Sequence, residues 1–161
     1  MSLDEYHFNT LGIYAHFFYN TLNEVFFPTA GNYTSVRVNR SLVQEVDLKY
    51  IDEILPDVNS STNGYTKFNL NVEKRIPFQK KITAIVGLNT NFIFEDDLAN
   101  NQVSINDYGY AINYFLGGNL NSPKKGSFVL PGLHESELNV SQFMKVNIGA
   151  QVNVMNNVYL T

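Results

Sequence analysis

The chain has 161 residues, no Cys and a formal net charge of −4. That allows one domain with a real core, excludes disulfides and thiolate metal sites, and offers no basic face for nucleic acid. Only 16% of residues are charged, while 14% are aromatic and 22 are Asn, so the polar surface is built from amides and hydroxyls more than from ions. No run of about 18 apolar residues can form a transmembrane helix, but a transmembrane strand needs only about 9–11 residues with alternating apolar positions.

The first predicted strand runs from about Tyr6 to Asn20, with Leu11, Ile13, Ala15, Phe17 and Tyr19 on one face and Thr10, Gly12, Tyr14, His16 and Phe18 on the other. A helix competes for this segment, but Gly12 and the β-rich composition weigh against it. Next comes a turn, LNEVFFPTAG, from Leu22 to Gly31. Pro28 cannot donate to a ladder and belongs at a strand boundary, and Gly31 permits a reversal with positive φ. The second strand spans about Tyr33 to Leu48, and its alternation slips at Arg40–Val43, which predicts a bulge or rim.

Residues 49–63 lose the alternation and read as a polar loop, with a short helical turn available at Tyr50–Ile54. The third strand, Gly64 to Pro77, and the fourth, Ile82 to Glu95, are joined by a short turn at Pro77–Lys80, so they are predicted to pair antiparallel. Residues 96–106 form another polar loop. A fifth strand is predicted over Asp107–Gly118 from its alternating Tyr108, Tyr110, Ile112 and Tyr114. The connection Gly118–Asn139 is long and irregular, with a short strand near Phe128–Leu130.

The strand Phe143–Val154 is the cleanest. Met144, Val146, Ile148, Ala150, Val152 and Val154 are all apolar, and Lys145, Asn147, Gly149, Gln151 and Asn153 are all small or polar. Asn156-Asn157 signals a turn, and Val158–Thr161 begins a strand that it does not complete. With no signal peptide at Ser2–Thr10 either, the chain is expected to be a piece of a longer protein.

These elements predict an all-β, antiparallel meander of long strands, in one domain over residues 1–161. Strands of about 11 residues or more, with short turns at one end and long loops at the other, fit a transmembrane barrel. Soluble sandwiches use strands of about 5–6 residues. A soluble sandwich, or a small barrel that binds a carbohydrate, a protein or a small apolar ligand, is the alternative.

The turn resembles a signature of the BamA/TamA-like (bacterial surface antigen) outer-membrane barrels, L-[DN]-x-x-[FY]-[FY]-P-T-x-G, through Leu22, Asn23, Phe26, Phe27, Pro28, Thr29 and Gly31. Asn23 stands where Asp is common, so an ion pair at that position is not carried over. The same barrel type follows patatin-like lipase domains in some Gram-negative bacteria. A second, weaker likeness is Phe128–Leu133, where Pro131, Gly132 and Leu133 stand in place of a V-R-G-[FY] motif on a loop that folds into the lumen. Pro131 takes the Arg position, so no ionic latch is expected.

The resemblance implies a barrel of about sixteen strands, of which this chain would be part. It also implies a location in the Gram-negative outer membrane, lipid and the barrel-assembly machinery as partners, and a role in anchoring or displaying an attached domain. Open strand edges would allow self-association.

Nothing in the residues points to catalysis or a cofactor. The G-x-S-x-G elbow and Asp-Gly pair of patatin-type hydrolases do not occur. His7, His16 and His134 share no ligand spacing, and Glu95-Asp96-Asp97 reads as a rim charge cluster rather than a shaped calcium loop. Lys80-Lys81 reads as a solvated turn. The aromatics Phe17, Phe18, Tyr19, Phe26, Phe27, Phe92 and Phe94 would be exposed as an interfacial girdle in the membrane reading, and buried as core in the soluble one.

Overall fold

The computed structural model describes residues 3–50, 57–105, 113–118, 127–130, 132–134, 137–155 and 158–160. Among these residues the protein is an antiparallel β meander without a regular helix. The long strands are β1 (Leu3–Asn20), β2 (Gly31–Tyr50), β4 (Tyr65–Gln79), β5 (Ile82–Glu95) and β9 (Gln142–Met155). Short strands are β3 (Val58–Ser61), β6 (Tyr114–Gly117), β7 (Ser127–Val129), β8 (Leu138–Val140) and β10 (Val158–Leu160). The main sheet has the order β1-β2-β4-β5-β9-β10, with β3 paired to the end of β2. It is open among the described strands, with β1 and β10 at its edges.

Several expectations change. The expected loop over 49–63 contains β3, which pairs Glu45–Leu48 of β2 with Val58–Ser61; the helical turn placed at Tyr50–Ile54 falls mostly outside the described residues. Pro77 and Phe78 lie within β4, and the turn is Lys80-Lys81. Pro77 is near the end of its strand, where a missing ladder donor is least costly. Of the expected strand Asp107–Gly118, only Asn113–Gly118 is described. Its β6 does not join the main sheet but sits between β7 and β8 in a second, three-stranded sheet. The β6–β7 pair is parallel, with Phe115 opposite Ser127.

The chain divides into two compact units. The first comprises residues 1–14, 39–67 and 93–142 and holds an apolar core: Val46, Leu48, Tyr65, Ile93, Ile105, Tyr114, Phe115 and Leu116 are all buried. Asn63 is a polar hub within it. Its side-chain carbonyl accepts the Ile105 N–H at 2.8 Å, and its amide donates to the Asp96 carbonyl at 2.8 Å. The Lys67 ammonium lies 5.7 Å and 5.4 Å from the ring centres of Tyr65 and Tyr114, within cation–π range. Arg40 holds Asp96 by a bidentate pair and also donates to Thr66 Oγ1. That hydrogen-bonded guanidinium keeps the Asp96 carboxyl below the usual range. In β2 both Leu42 and Val43 are exposed while Ser41 and Gln44 are buried, so the alternation changes phase where the sequence slips.

The second unit comprises residues 15–38, 68–92 and 143–161, and its burial runs the other way. Among its described residues the buried side chains are Pro28, Thr83, Thr90, Asn91 and Gln151. The apolar row of β9 is exposed, with Ile148 at 82%. On β4 and β5 the polar row is tied together: Asn69 donates to Asn91, and Asn91 donates to Asn89. Fully burying an aliphatic side chain contributes about 1.5–3 kcal/mol. Unit 2 leaves most of that unrealised at Met144, Val146 and Ile148.

Candidate functional site

The β1–β2 turn is held by its own side chains. Asn23 Oδ1 accepts the N–H groups of Thr29 and Ala30, both at 3.0 Å, and Asn23 Nδ2 donates to Thr29 Oγ1 at 2.9 Å. The Asn23 N–H donates to the Ala30 carbonyl at 3.1 Å. The position therefore needs an acceptor rather than a charge. An Asp would make the two backbone contacts equally well, with the Thr29 hydroxyl turned to donate. Below this loop, Thr21 and Asn32 close the strand ends through backbone and hydroxyl bonds. Gly31 has φ +115, and a Cβ there would overlap the Thr21 carbonyl and Leu22, so only glycine fits the exit from the turn.

Phe27 adopts φ +52, an uncommon conformation for a bulky residue, and it precedes a proline, which disfavours helical backbone further. Two side chains from the polar row hold the carbonyls of this residue and of the proline after it. Gln151 Nε2 donates to Phe27 O at 3.0 Å, and Arg75 Nη1 donates to Pro28 O at 3.0 Å. Arg75 Nη1 also donates to Gln151 Oε1 at 2.7 Å, and its Nε pairs with Glu73 at 2.6 Å. Gln151 is 1% exposed and the Arg75 side chain 15%, so the clamp lies out of water. Pro28 is buried, whereas Val25, Phe26 and Phe27 project outward.

Thr29, Gln151 and Asn153 also line a hollow of about 170 Å³ with Pro77, Gln79, Lys80, Lys81 and Thr83. The β4–β5 turn therefore adjoins the β1–β2 turn. Of the turn-motif residues, the structure brings Asn23, Phe27, Pro28 and Thr29 into one hydrogen-bonded unit, with Gly31 at its exit. It adds Arg75, Glu73 and Gln151, which no motif marks. Their signal in the sequence was position alone: each falls in the polar row of its strand, and Glu73 and Arg75 are two residues apart on one face.

The second motif is placed only in part. Pro131 lies outside the described residues. Gly132 has φ +96, and the Leu133 N–H closes a turn onto the Leu130 carbonyl at 3.4 Å, the geometry in which glycine is favoured as the third residue. The aromatics Phe17, Phe18, Tyr19, Phe26, Phe27 and Phe94 are exposed, and Phe92 is half-buried. No helix among the described residues is long and apolar enough to cross a membrane, which does not bear on crossing by strands. No family model, curated protein or solved structure matches the chain.

Proposed function

We propose that the chain is a segment of the wall of an outer-membrane β-barrel in a Gram-negative bacterium, anchoring or displaying an attached domain. The patatin-like type is the one its wording resembles. The observation that carries this reading is the inverted burial of unit 2, where Gln151, Asn91, Thr83 and Thr90 are inside while Met144, Val146, Ile148 and Val154 are outside. In water that arrangement exposes apolar rows and sequesters amides, both unfavourable. In lipid it is the favourable one. The backbone is fully paired only through strand neighbours, the greasy row meets hydrocarbon, and the amide row turns inward, where its members hydrogen-bond to one another and to Arg75.

Met144–Val154 in β9 and Leu11–Tyr19 in β1 are then the spanning stretches, each about the 9–11 residues that a tilted strand needs. The β1 and β10 edges require further strands or a second copy to close. Insertion would go through the barrel-assembly machinery, and the reading assigns no catalysis to these residues.

The chain has no Trp, so single Trp reporters are unambiguous. In vesicles of brominated phosphatidylcholine, Ile148→Trp should emit at short wavelength and be strongly quenched. Gly149→Trp, on the opposite row with no atom within 4 Å of its Cβ position, should be neither. A compact, detergent-free monomer in which both reporters behave alike would overturn the barrel wall and favour the soluble binding module.

A further inference from the structure

Charge is divided unevenly between the two units. Unit 2 carries six basic residues (Arg37, Lys74, Arg75, Lys80, Lys81 and Lys145) against Glu24 and Glu73, a net +4, within a chain of net −4. Arg75 is committed to Glu73 and the turn. Lys80 and Lys81 form the two-residue β4–β5 turn, are exposed, and have no ion-pair partner among the described residues. Beside them Phe78 is 75% exposed, and on the adjoining β1–β2 turn Phe26 is 80% exposed. Two bare ammonium groups therefore share one end of the sheet with two bare phenyl rings, and Glu24 is the one carboxylate on these two turns.

Exposed phenyl rings beside basic residues bury at the boundary between headgroups and acyl chains, and ammonium groups just above that depth meet phosphate. Resting on the barrel-wall reading, we infer that these paired turns form an interfacial docking surface for anionic glycerophospholipid, with Lys80 and Lys81 holding the headgroup and Phe26 and Phe78 entering the acyl boundary. A zwitterionic lipid offers the same hydrocarbon but no net charge for the two amines. The surface therefore selects by headgroup, which an ordinary aromatic girdle does not.

The test uses the full chain reconstituted in bilayers, with Phe78→Trp as the reporter at the turn and Ile148→Trp as the reporter on the wall. Quenching by brominated phosphatidylglycerol is compared with quenching by brominated phosphatidylcholine. A basic residue at an anionic surface favours it by about five-fold, so two should give roughly a 25-fold preference at Phe78→Trp. The preference should collapse in Lys80→Gln/Lys81→Gln and in about 1 M salt, where the Debye length is about 3 Å. Ile148→Trp should be quenched by both lipids alike. Equal quenching of Phe78→Trp by the two lipids, or a preference that survives the double substitution, overturns the headgroup surface while leaving the wall intact. Failure of both lipids to quench Ile148→Trp overturns the wall, and this inference with it.

Discussion

Replacing Arg75 with Ala removes the side chain that joins β4, β9 and the β1–β2 turn. Two charge-assisted hydrogen bonds are lost, to Pro28 O and Gln151 Oε1, each worth about 1.5–3 kcal/mol where water cannot substitute. The Glu73 ion pair is lost as well, but the Glu73 side chain is 34% exposed and regains water, so that pair contributes little. The expected cost is about 3 kcal/mol.

Gln151→Ala removes the bond to Phe27 O and the shared bond to Arg75, at about 2 kcal/mol. Because the Arg75–Gln151 bond is counted in both single variants, the double variant should cost about 1–1.5 kcal/mol less than their sum. Arg75→Lys supplies one point charge in place of the planar fork and should recover only part of the loss. Urea titration in detergent micelles, followed by circular dichroism, measures all four proteins. Single costs under about 0.5 kcal/mol, or costs that add without coupling, would refute the clamp.

Asn23→Asp should retain the turn at a cost under about 0.5 kcal/mol, whereas Asn23→Ala, which loses three side-chain bonds, should cost about 2 kcal/mol in the same titration. Gly31→Ala and Gly132→Ala both place a Cβ at positive φ, but a Cβ at Gly31 also strikes backbone while nothing lies within 4 Å at Gly132. The first should cost about 3 kcal/mol or prevent folding, and the second about 1 kcal/mol. Glu5, which precedes the spanning stretch of β1, is hydrogen-bonded to Lys49 first and His7 second, and these hold its carboxyl at about 2, down from 4.5. A carboxyl lowered on folding stabilises above its unfolded value, so its contribution is complete above pH 4.5 and disappears as the pH falls towards 2. An NMR titration of Glu5 should show that midpoint, and Lys49→Gln should raise it.

The long strands were legible because alternation is a strong signal when it is sustained. Met144–Val154 repeats it without a break, and β5 matches its expected bounds of Ile82 and Glu95. The turn was legible from Pro28 and Gly31, whose backbone limits hold in any context. The second sheet was not. Tyr114, Phe115 and Leu116 are all buried, so β6 has no exposed face to alternate with, and its aromatic run read as the tail of a longer strand. The clamp was hidden for a different reason. Arg75 and Gln151 are 76 residues apart, and nothing local to either names the other.

By itself the sequence determined that the strands have two unlike faces, where the chain reverses, and which turn residues are irreplaceable, because those follow from local backbone sterics and a period of two. It did not determine which face is hidden. Only the tertiary structure decided that. Along β2, Val46 and Leu48 are buried while Val38 and Leu42 are exposed, although all four are apolar and at even positions of one strand, because the alternation changes phase at Leu42-Val43. What differs is what packs against them: an apolar core covers the first pair, and the described structure leaves the second pair uncovered. Periodicity is symmetric between inside and outside, and only the partner across each face breaks that symmetry.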